Sequence, residues 1–126
     1  MLRKIHQIAA YAKDIQQTKE FYTRILGATF LAQFGNPPSM LFLDFEGTRL
    51  LFETSGPPIT IYFSVDDIVA VFSELSAKGI EFDSAPHVIH QDHEGVFGQK
   101  GDNEWMAFFK DPSGNTLAIA SQKPSE

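Results

Sequence analysis

The chain has 126 residues, 43% of them hydrophobic and 13% aromatic, which is enough to build the core of one ordinary domain or of two small units. Sixteen acidic and ten basic residues give a formal net charge of −6. An acidic chain without a run of Lys or Arg repels phosphate backbones, so we expect no nucleic-acid partner. Because the chain has no cysteine, disulfides, thiolate metal sites and a thiol nucleophile are excluded. No segment resembles a signal peptide or a membrane span, which predicts a cytoplasmic protein.

The first half of the sequence predicts a strand, a helix and three further strands. Residues 4–12 are short, apolar and compatible with a strand. Asp14 is placed to cap the helix that follows, and Gly27 is placed to end it. Strand-like runs follow at 28–34, 40–45 and 49–54. These elements predict a first βαβββ module over residues 4–55.

The same pattern begins again after the Gly- and Pro-rich connector. An alternating strand is predicted over 59–65, and Asp66 or Asp67 is placed to cap a second helix that Gly79 ends. The remaining predicted elements are a strand at 80–82, a long hairpin or loop at 83–103, strands at 105–109 and 116–120, and a frayed tail at 122–126.

Equivalent positions of the two halves lie 53 and 52 residues apart, from Asp14 to Asp67 and from Gly27 to Gly79. A repeat of this size indicates two copies of one supersecondary unit. We therefore predict a second module over residues 58–121. Two such modules bury their apolar faces together, and the concave surface between their sheets is the natural place for a ligand.

Two segments carry a family resemblance that covers almost the whole chain. "DIQQTKEFYTRILG" resembles the D-x₆-FY-x₃-LG helix, and "FFKDPSGNTLAI" the F-x-DP-x-GN hairpin, of the glyoxalase/bleomycin-resistance/dioxygenase superfamily, the vicinal oxygen chelate proteins. The resemblance implies an α+β fold, with two tandem βαβββ modules forming an open, curved, eight-stranded mixed sheet around a central cavity. It also implies a small-molecule ligand and a homodimer.

The same resemblance implies a divalent-metal site, holding Zn, Ni or Fe, with ligands on the first and last strands of each module. Transferred onto this sequence, the four positions are Gln7, Glu53, Thr60 and Ala118. Only Gln7 and Glu53 are residue types that the family uses as ligands. A stable site needs three or four converging N or O ligands, so we expect no tightly bound metal.

Glu53 is the candidate catalytic residue. It ends an apolar run, and a carboxylate that faces an apolar cavity has a raised pKa, which suits a general base next to a carbonyl group. The alternative is that Glu53 lies at a strand end beside a turn and reaches water. The sequence leaves both open.

Five further residues are candidates for ligand binding. Strand parity places Tyr11, Thr60 and Tyr62 on the cavity side with Gln7. The other two are Trp105, at the start of the last hairpin, and His90, the middle one of three histidines. The candidates are Tyr11, Thr60, Tyr62, Trp105 and His90. The tyrosines and Trp105 are also compatible with a purely structural role in the core. Spacing by three puts His87 and His93 on one strand face and His90 on the other, and a solvated loop is the favoured interpretation of this region.

Two functions follow from these observations. The favoured one is a protein that binds a small organic molecule, in the manner of the bleomycin-resistance members, without the complete metal site of the family. The alternative is a metal-dependent lyase or isomerase of the lactoylglutathione lyase type, with Glu53 as general base. An extradiol dioxygenase needs two histidines and a carboxylate, which the expected positions lack. The sequence does not identify the ligand.

Overall fold

The computed structural model describes residues 1–123 as two compact units, each built from one mixed four-stranded sheet and one helical segment. The first unit comprises residues 1–59 together with the Asp111–Asn115 turn. The second comprises residues 60–110 and Thr116–Lys123. No helix within residues 1–123 has the length and apolar character that crossing a membrane requires.

The elements follow the order predicted for two βαβββ modules. In the first module, helix α1 continues directly into a π-helical segment, Phe21–Ile25. The elements are β1 (Gln7–Tyr11), α1 (Ile15–Glu20), β2 (Thr29–Phe34), β3 (Met40–Phe45), β4 (Thr48–Glu53), β5 (Thr60–Ser64), α2 (Ile68–Ala77), β6 (His87–Gln91), β7 (Asn103–Lys110) and β8 (Thr116–Lys123).

The two sheets share one topology, which confirms the predicted fold class. The strand order is β1-β4-β3-β2 in the first sheet and β5-β8-β7-β6 in the second. In each sheet the first pair of this order is parallel and the other two pairs are antiparallel. The chain is therefore an α+β protein with eight strands in two four-stranded mixed sheets, as expected from the repeat of sequence pattern.

Each sheet packs one face on the helix of its own unit. In the first sheet this face carries Leu43 and Phe52, and the ring of Phe52 lies 4.5 Å from that of Tyr22. In the second sheet it carries Phe109, whose ring contacts Phe82, which in turn contacts Phe72 of α2. We call the opposite surface of each sheet its helix-free face.

The predicted helix boundaries are confirmed in both modules. The side chain of Asp14 accepts a hydrogen bond from Gln17 N at 2.8 Å, and Asp67, rather than Asp66, accepts one from Ala70 N at 3.1 Å. Such N-caps satisfy backbone N–H groups that have no partner inside the helix. Gly27 follows the first helical segment with φ of 86°, a backbone conformation that glycine adopts without strain.

Two predicted elements are wrong. Residues 80–82 form no strand; Ile80 N instead donates to Leu75 O at 3.0 Å, which completes the end of α2, and Phe82 packs as described above. The predicted frayed tail begins too early, because Gln122 and Lys123 pair with β7 as part of β8. Residues 124–126 of that predicted tail lie outside the described residues.

The two family-like motifs meet in the first unit through one buried carboxylate, that of Asp111. Its Oδ2 accepts a hydrogen bond from Tyr22 Oη at 2.6 Å and one from Asn115 Nδ2 at 2.8 Å. Its Oδ1 accepts from the backbone N–H groups of Ser113 and Asn115, both at 2.9 Å. Burial raises the pKa of Tyr22 far above its usual value, and the nearby charge of Asp111 and the hydrogen bond to it raise this pKa further.

Asn115 extends this network to two strands of the fold. Its Nδ2 also donates to Tyr11 O at 2.6 Å, and its Oδ1 accepts from Ile59 N at 2.8 Å. Asn115 is fully buried, so each of these bonds replaces one that water would otherwise make. The motif residues therefore tie the β7–β8 turn to the end of β1 and to the chain just before β5.

Candidate functional site

The helix-free face of the second sheet brings together three of the residues predicted to bind a ligand. The β5–β8 register pairs Thr60 with Thr116 and Tyr62 with Ala118, so the side chains of Thr60 and Tyr62 share one face. The β7–β8 register adds Phe108, whose ring lies edge-on to Tyr62 at 6.0 Å. His90 joins the same face because it pairs with Glu104, which pairs with Gln122 of β8.

A cleft of about 440 Å³ opens at this part of the second unit. This volume lies within the range of small-molecule sites in proteins. Every residue that lines it belongs to the second unit. The lining residues are Tyr62, Phe63, Ser64, Val65, Asp66, Phe97, Glu104, Ala120, Ser121 and Gln122. A site that both modules share stays a prediction.

The loop between β6 and β7 brings Phe97 to the cleft. Asp92, which is almost fully buried, organises this loop: its carboxylate accepts from Val96 N at 2.7 Å and from Phe97 N at 2.9 Å. Desolvation by burial alone would raise the pKa of Asp92. Hydrogen bonds from the N–H groups of Phe97, Val96 and Gly98, together with the nearby His90, outweigh it and leave the pKa below its usual value.

A β-bulge in β6 corrects the prediction for the histidines. His87 pairs with Met106 and Val88 with Trp105, but the next pair is His90 with Glu104, so Ile89 is the extra residue. His87 and His90 therefore share the helix-free face instead of lying on opposite faces. His93 lies beyond the end of β6. The ring of His90 lies edge-on to Phe97, with the centroids 6.1 Å apart.

Aromatic and acidic groups dominate the chemistry of the cleft. Tyr62 is 57% exposed and Phe97 is 66% exposed, which is unusual for large aromatic side chains. Asp66 and Glu104 contribute two carboxylates. Nε2 of Gln122 is buried and has no hydrogen-bond partner within residues 1–123. An unpaired donor of this kind is rare in proteins, because buried polar groups are nearly always paired.

Trp105 does not share the helix-free face with the other candidates. It pairs with Ser121 and Val88, one position out of phase with Glu104 and Met106, so its ring lies on the opposite side of the sheet. The ammonium group of Lys123 lies 5.5 Å from the centre of that ring. The alternation that places Thr60 and Tyr62 together therefore separates Trp105 from them.

The helix-free face of the first sheet carries Gln7, Tyr11 and Glu53. The parallel β1–β4 register pairs Gln7 with Arg49 and Tyr11 with Glu53, so these side chains point to one side. Glu53 is half-buried at the end of β4, directly before an exposed turn. Its side chain forms no hydrogen bond or ion pair within the described part of the chain, and a role as general base stays a prediction.

The residues at the four transferred metal-ligand positions do not make a complete metal site. Oε1 of Gln7 accepts a hydrogen bond from Nε of Arg49 at 2.9 Å, which places a positive charge beside the oxygen and disfavours a metal ion there. Thr60 is a weak ligand and Ala118 has no donor atom. Within residues 1–123, no three His, Asp or Glu side chains lie close enough together to hold a metal ion.

Sequence reasoning missed Arg49, Phe97, Glu104 and Gln122. Two of these were accessible from strand parity: Arg49 lies four residues before Glu53 in the same strand, and Gln122 continues the alternation of Ala118 and Ala120. Phe97 carried no signal of this kind, because its position depends on the folded shape of an irregular loop.

The shared sheet topology and the tandem arrangement define a class of small α+β proteins built from two copies of a βαβββ module. The family model "Glyoxalase/Bleomycin resistance protein/Dioxygenase superfamily" matches residues 4–119, and the chain belongs to this superfamily. The uncharacterized protein YetH of Bacillus subtilis (strain 168) is 24% identical over 132 residues, which cover 94% of this chain and 98% of that protein.

Solved structures of proteins with different functions share the fold. TnmS3, an antibiotic binding protein from Streptomyces sp. CB03234, superimposes with a TM-score of 0.74 at 20% identity, covering 97% of this chain and 98% of that one. A lactoylglutathione lyase from Agrobacterium tumefaciens gives 0.71 at 17% identity, with 94% and 92% covered. At these identities the likeness establishes the common fold, and the function has to be argued from the site.

Proposed function

We propose that this protein binds a small organic molecule with a flat apolar body and a positively charged group in the cleft of its second unit. The observation that carries the proposal is the combination of two exposed aromatic side chains, Tyr62 and Phe97, with two carboxylates, Asp66 and Glu104, around one cavity of about 440 Å³. Binding without chemical conversion is the function that needs nothing further from these residues.

Physical chemistry favours this class of ligand over others. A flat apolar body covers the exposed rings of Tyr62 and Phe97 and removes their surface from water, which is worth about 25 cal/mol per Å². Faces of aromatic rings and carboxylates both attract cations. The net charge of −6 adds a long-range attraction for a cation and a repulsion for an anion. TnmS3, which shares the fold, is an antibiotic binding protein, and this is consistent with the proposal.

Isothermal titration with a panel of aromatic amines and their uncharged analogues tests the proposal. We expect the charged members to bind more tightly, and Glu104→Gln to weaken their binding about threefold to thirtyfold without a comparable effect on the neutral analogues. Phe97→Ala should weaken both groups. Glu81→Gln, which removes an exposed carboxylate that does not line the cleft, is the matched control. Equal effects of Glu104→Gln and Glu81→Gln would count against the cleft.

The lyase hypothesis makes a different prediction, which an activity assay with added metal tests. Conversion of a small carbonyl compound that requires an added Zn²⁺, Ni²⁺ or Fe²⁺ and disappears in Glu53→Gln would favour the enzyme. The hydrogen bond between Gln7 and Arg49 and the lack of donor atoms at Ala118 weigh against it.

A cytoplasmic homodimer is part of the proposal. Strands β2 and β6 lie at sheet edges and carry large apolar side chains that are substantially exposed, including Phe34 at 56%. Exposed apolar surface on an edge strand favours pairing with another chain. Sedimentation velocity of the purified protein distinguishes a dimer from a monomer directly.

A further inference from the structure

The first unit contains an arginine that forms no ion pair. Arg49 is half-buried on the helix-free face of the first sheet, and no carboxylate within residues 1–123 forms an ion pair with it. Neither of its two side-chain partners is a carboxylate: Nε donates to Gln7 Oε1 at 2.9 Å, and Nη2 contacts His6 Nε2 at 2.6 Å.

We propose that Arg49 anchors the carboxylate of a hydrophobic organic acid on the helix-free face of the first sheet. The proposal concerns the first unit alone and does not depend on the cleft of the second. It assigns a binding role to a residue that lies outside the positions at which the superfamily places its metal ligands.

Arg49 has N–H groups left over that could bind a carboxylate. A guanidinium has five N–H donors, and Gln7 and His6 take one each. The remaining three have no partner within the described residues. Paired N–H groups of a guanidinium match the two oxygens of a carboxylate and form short, charge-assisted hydrogen bonds. Gln7 and His6 hold the group in place, so less side-chain freedom is lost when the acid binds.

The carboxylates nearest to Arg49 along the sheet do not already fill this role. Asp44 pairs with Arg49 in the β3–β4 register, but its Oδ2 accepts from Gly47 N at 3.1 Å, within the hairpin turn. Glu53 lies four residues along β4, which places it about 13 Å away at the usual rise of a strand. Arg49 is only half-buried, so its remaining N–H groups can be reached, and a carboxylate would offer them charge-assisted hydrogen bonds.

Apolar neighbours define the rest of the ligand. The guanidinium carbon lies 5.9 Å from the ring centre of Phe42, and the ring of Phe34 lies edge-on to Phe42 at 5.8 Å. Leu51 and Met40 continue the same face through the strand register. A carboxylate on Arg49 therefore lies at one end of an apolar surface, which favours an aromatic or branched aliphatic acid over acetate or a sugar acid.

The role of Gln7 changes with this assignment. In the transferred pattern Gln7 donates an oxygen to a divalent metal, whereas here the same oxygen accepts a hydrogen bond from a guanidinium. The positive centre of the first module is then a fixed organic cation. An arginine attracts a carboxylate as a metal would, but it offers no vacant coordination position and no Lewis-acid chemistry.

Nuclear magnetic resonance of the unmodified protein provides the first test. We expect benzoate to shift the side-chain Nε–Hε signal of Arg49 in a saturable titration, and benzamide, its neutral analogue, to leave that signal unchanged at the same concentrations. Acetate should bind more weakly than benzoate because it covers none of the apolar surface. Because this titration needs no substitution, it does not depend on the folding of a variant. No shift with benzoate, or an equal shift with benzamide, overturns the proposal.

Three variants separate a fixed guanidinium from a general effect of charge. Arg49→Gln should weaken benzoate binding about 10- to 100-fold, and Arg49→Lys should recover only part of it, because an ammonium lacks the fork. Arg24→Gln, which removes a positive charge from an exposed helical position, should bind benzoate normally. Equal loss in Arg24→Gln and Arg49→Gln overturns the proposal. Loss of benzoate binding in Glu104→Gln would place the anion in the cleft of the second unit and also overturns it.

Discussion

Replacing Tyr22 by Phe removes one hydroxyl group from the network that joins the two family motifs. The ring of Tyr22 is fully buried and stays packed against Phe52 and Phe21 in the variant. The hydroxyl donates to Asp111 Oδ2 at 2.6 Å, and Asp111 keeps its three other hydrogen bonds. The change therefore isolates one short hydrogen bond to a buried carboxylate.

The expected loss follows from the kind of bond that is removed. A hydrogen bond to a charged group contributes about 1.5–3 kcal/mol, so near neutral pH we expect Tyr22→Phe to lower the free energy of unfolding by about 2 kcal/mol. For a domain of this size, such a loss lowers Tm by roughly 4–10 °C. No cavity forms, because Phe fills the same space, and the contribution of packing is unchanged.

The pH dependence of this difference gives a sharper test. The pKa of Tyr22 is raised in the folded state, so its stabilising contribution is complete below the unfolded-state pKa of about 10 and is lost as the pH rises above it. At about pH 11, ionisation of this tyrosine in the unfolded state stabilises that state by about 1.4 kcal/mol. The difference between the wild type and Tyr22→Phe should therefore shrink from about 2 to about 0.6 kcal/mol.

Urea denaturation followed by far-ultraviolet circular dichroism at several pH values measures both quantities. Tyr62→Phe is the matched control: it removes the hydroxyl of an exposed tyrosine and should change the free energy of unfolding by less than about 0.5 kcal/mol. A Tyr22→Phe protein as stable as the wild type near neutral pH would refute the reasoning. So would a difference between the two that stays constant up to about pH 11.

Two further predictions concern other buried polar groups. Asn115→Ala removes the acceptor of Ile59 N and a donor to the carboxylate of Asp111. It should lower the free energy of unfolding by about 3 kcal/mol in the same urea assay. A change under about 1 kcal/mol would contradict the role given to Asn115. Asp92, whose pKa is lowered in the fold, stabilises its loop above the unfolded-state pKa of about 4 and ceases to do so as the pH falls through its folded pKa. Amide exchange at Val96 and Phe97 should therefore stay slow down to about pH 4 in the wild type and be fast in Asp92→Ala at every pH; equal rates in the two proteins would contradict this.

Local chemistry made much of the fold predictable from the sequence. Asp14 and Asp67 cap their helices because a short carboxylate reaches the free N–H groups of the first turn, and this requirement is local. Alternation along β5 predicted correctly that Thr60 and Tyr62 share a face, since side-chain direction in a strand has a period of two. The repeat then predicted a second sheet with the topology of the first.

Irregular backbone limited what the sequence predicted about the site. One extra residue, Ile89, moves His90 to the other side of its strand, and nothing in the local composition fixes where such a bulge falls. The sequence predicts a strand over residues 80–82, but the packing of Phe82 on Phe72 and Phe109 decides the course of this segment. The position of Phe97 depends on the long-range role of Asp92 in its loop.

The roles of the family-like motifs explain why the fold was predictable and the chemistry was not. Tyr22, Asp111 and Asn115 form hydrogen bonds with one another inside the first unit. These bonds stabilise the fold. The hydrogen bonds of these residues hold the β7–β8 turn against the end of β1. The groups with capacity left over, such as Arg49 and Gln122, lie outside those motifs. In this protein, chemical specificity must therefore be sought in unpaired donors and exposed rings, and a match to the motifs identifies only the scaffold that holds them.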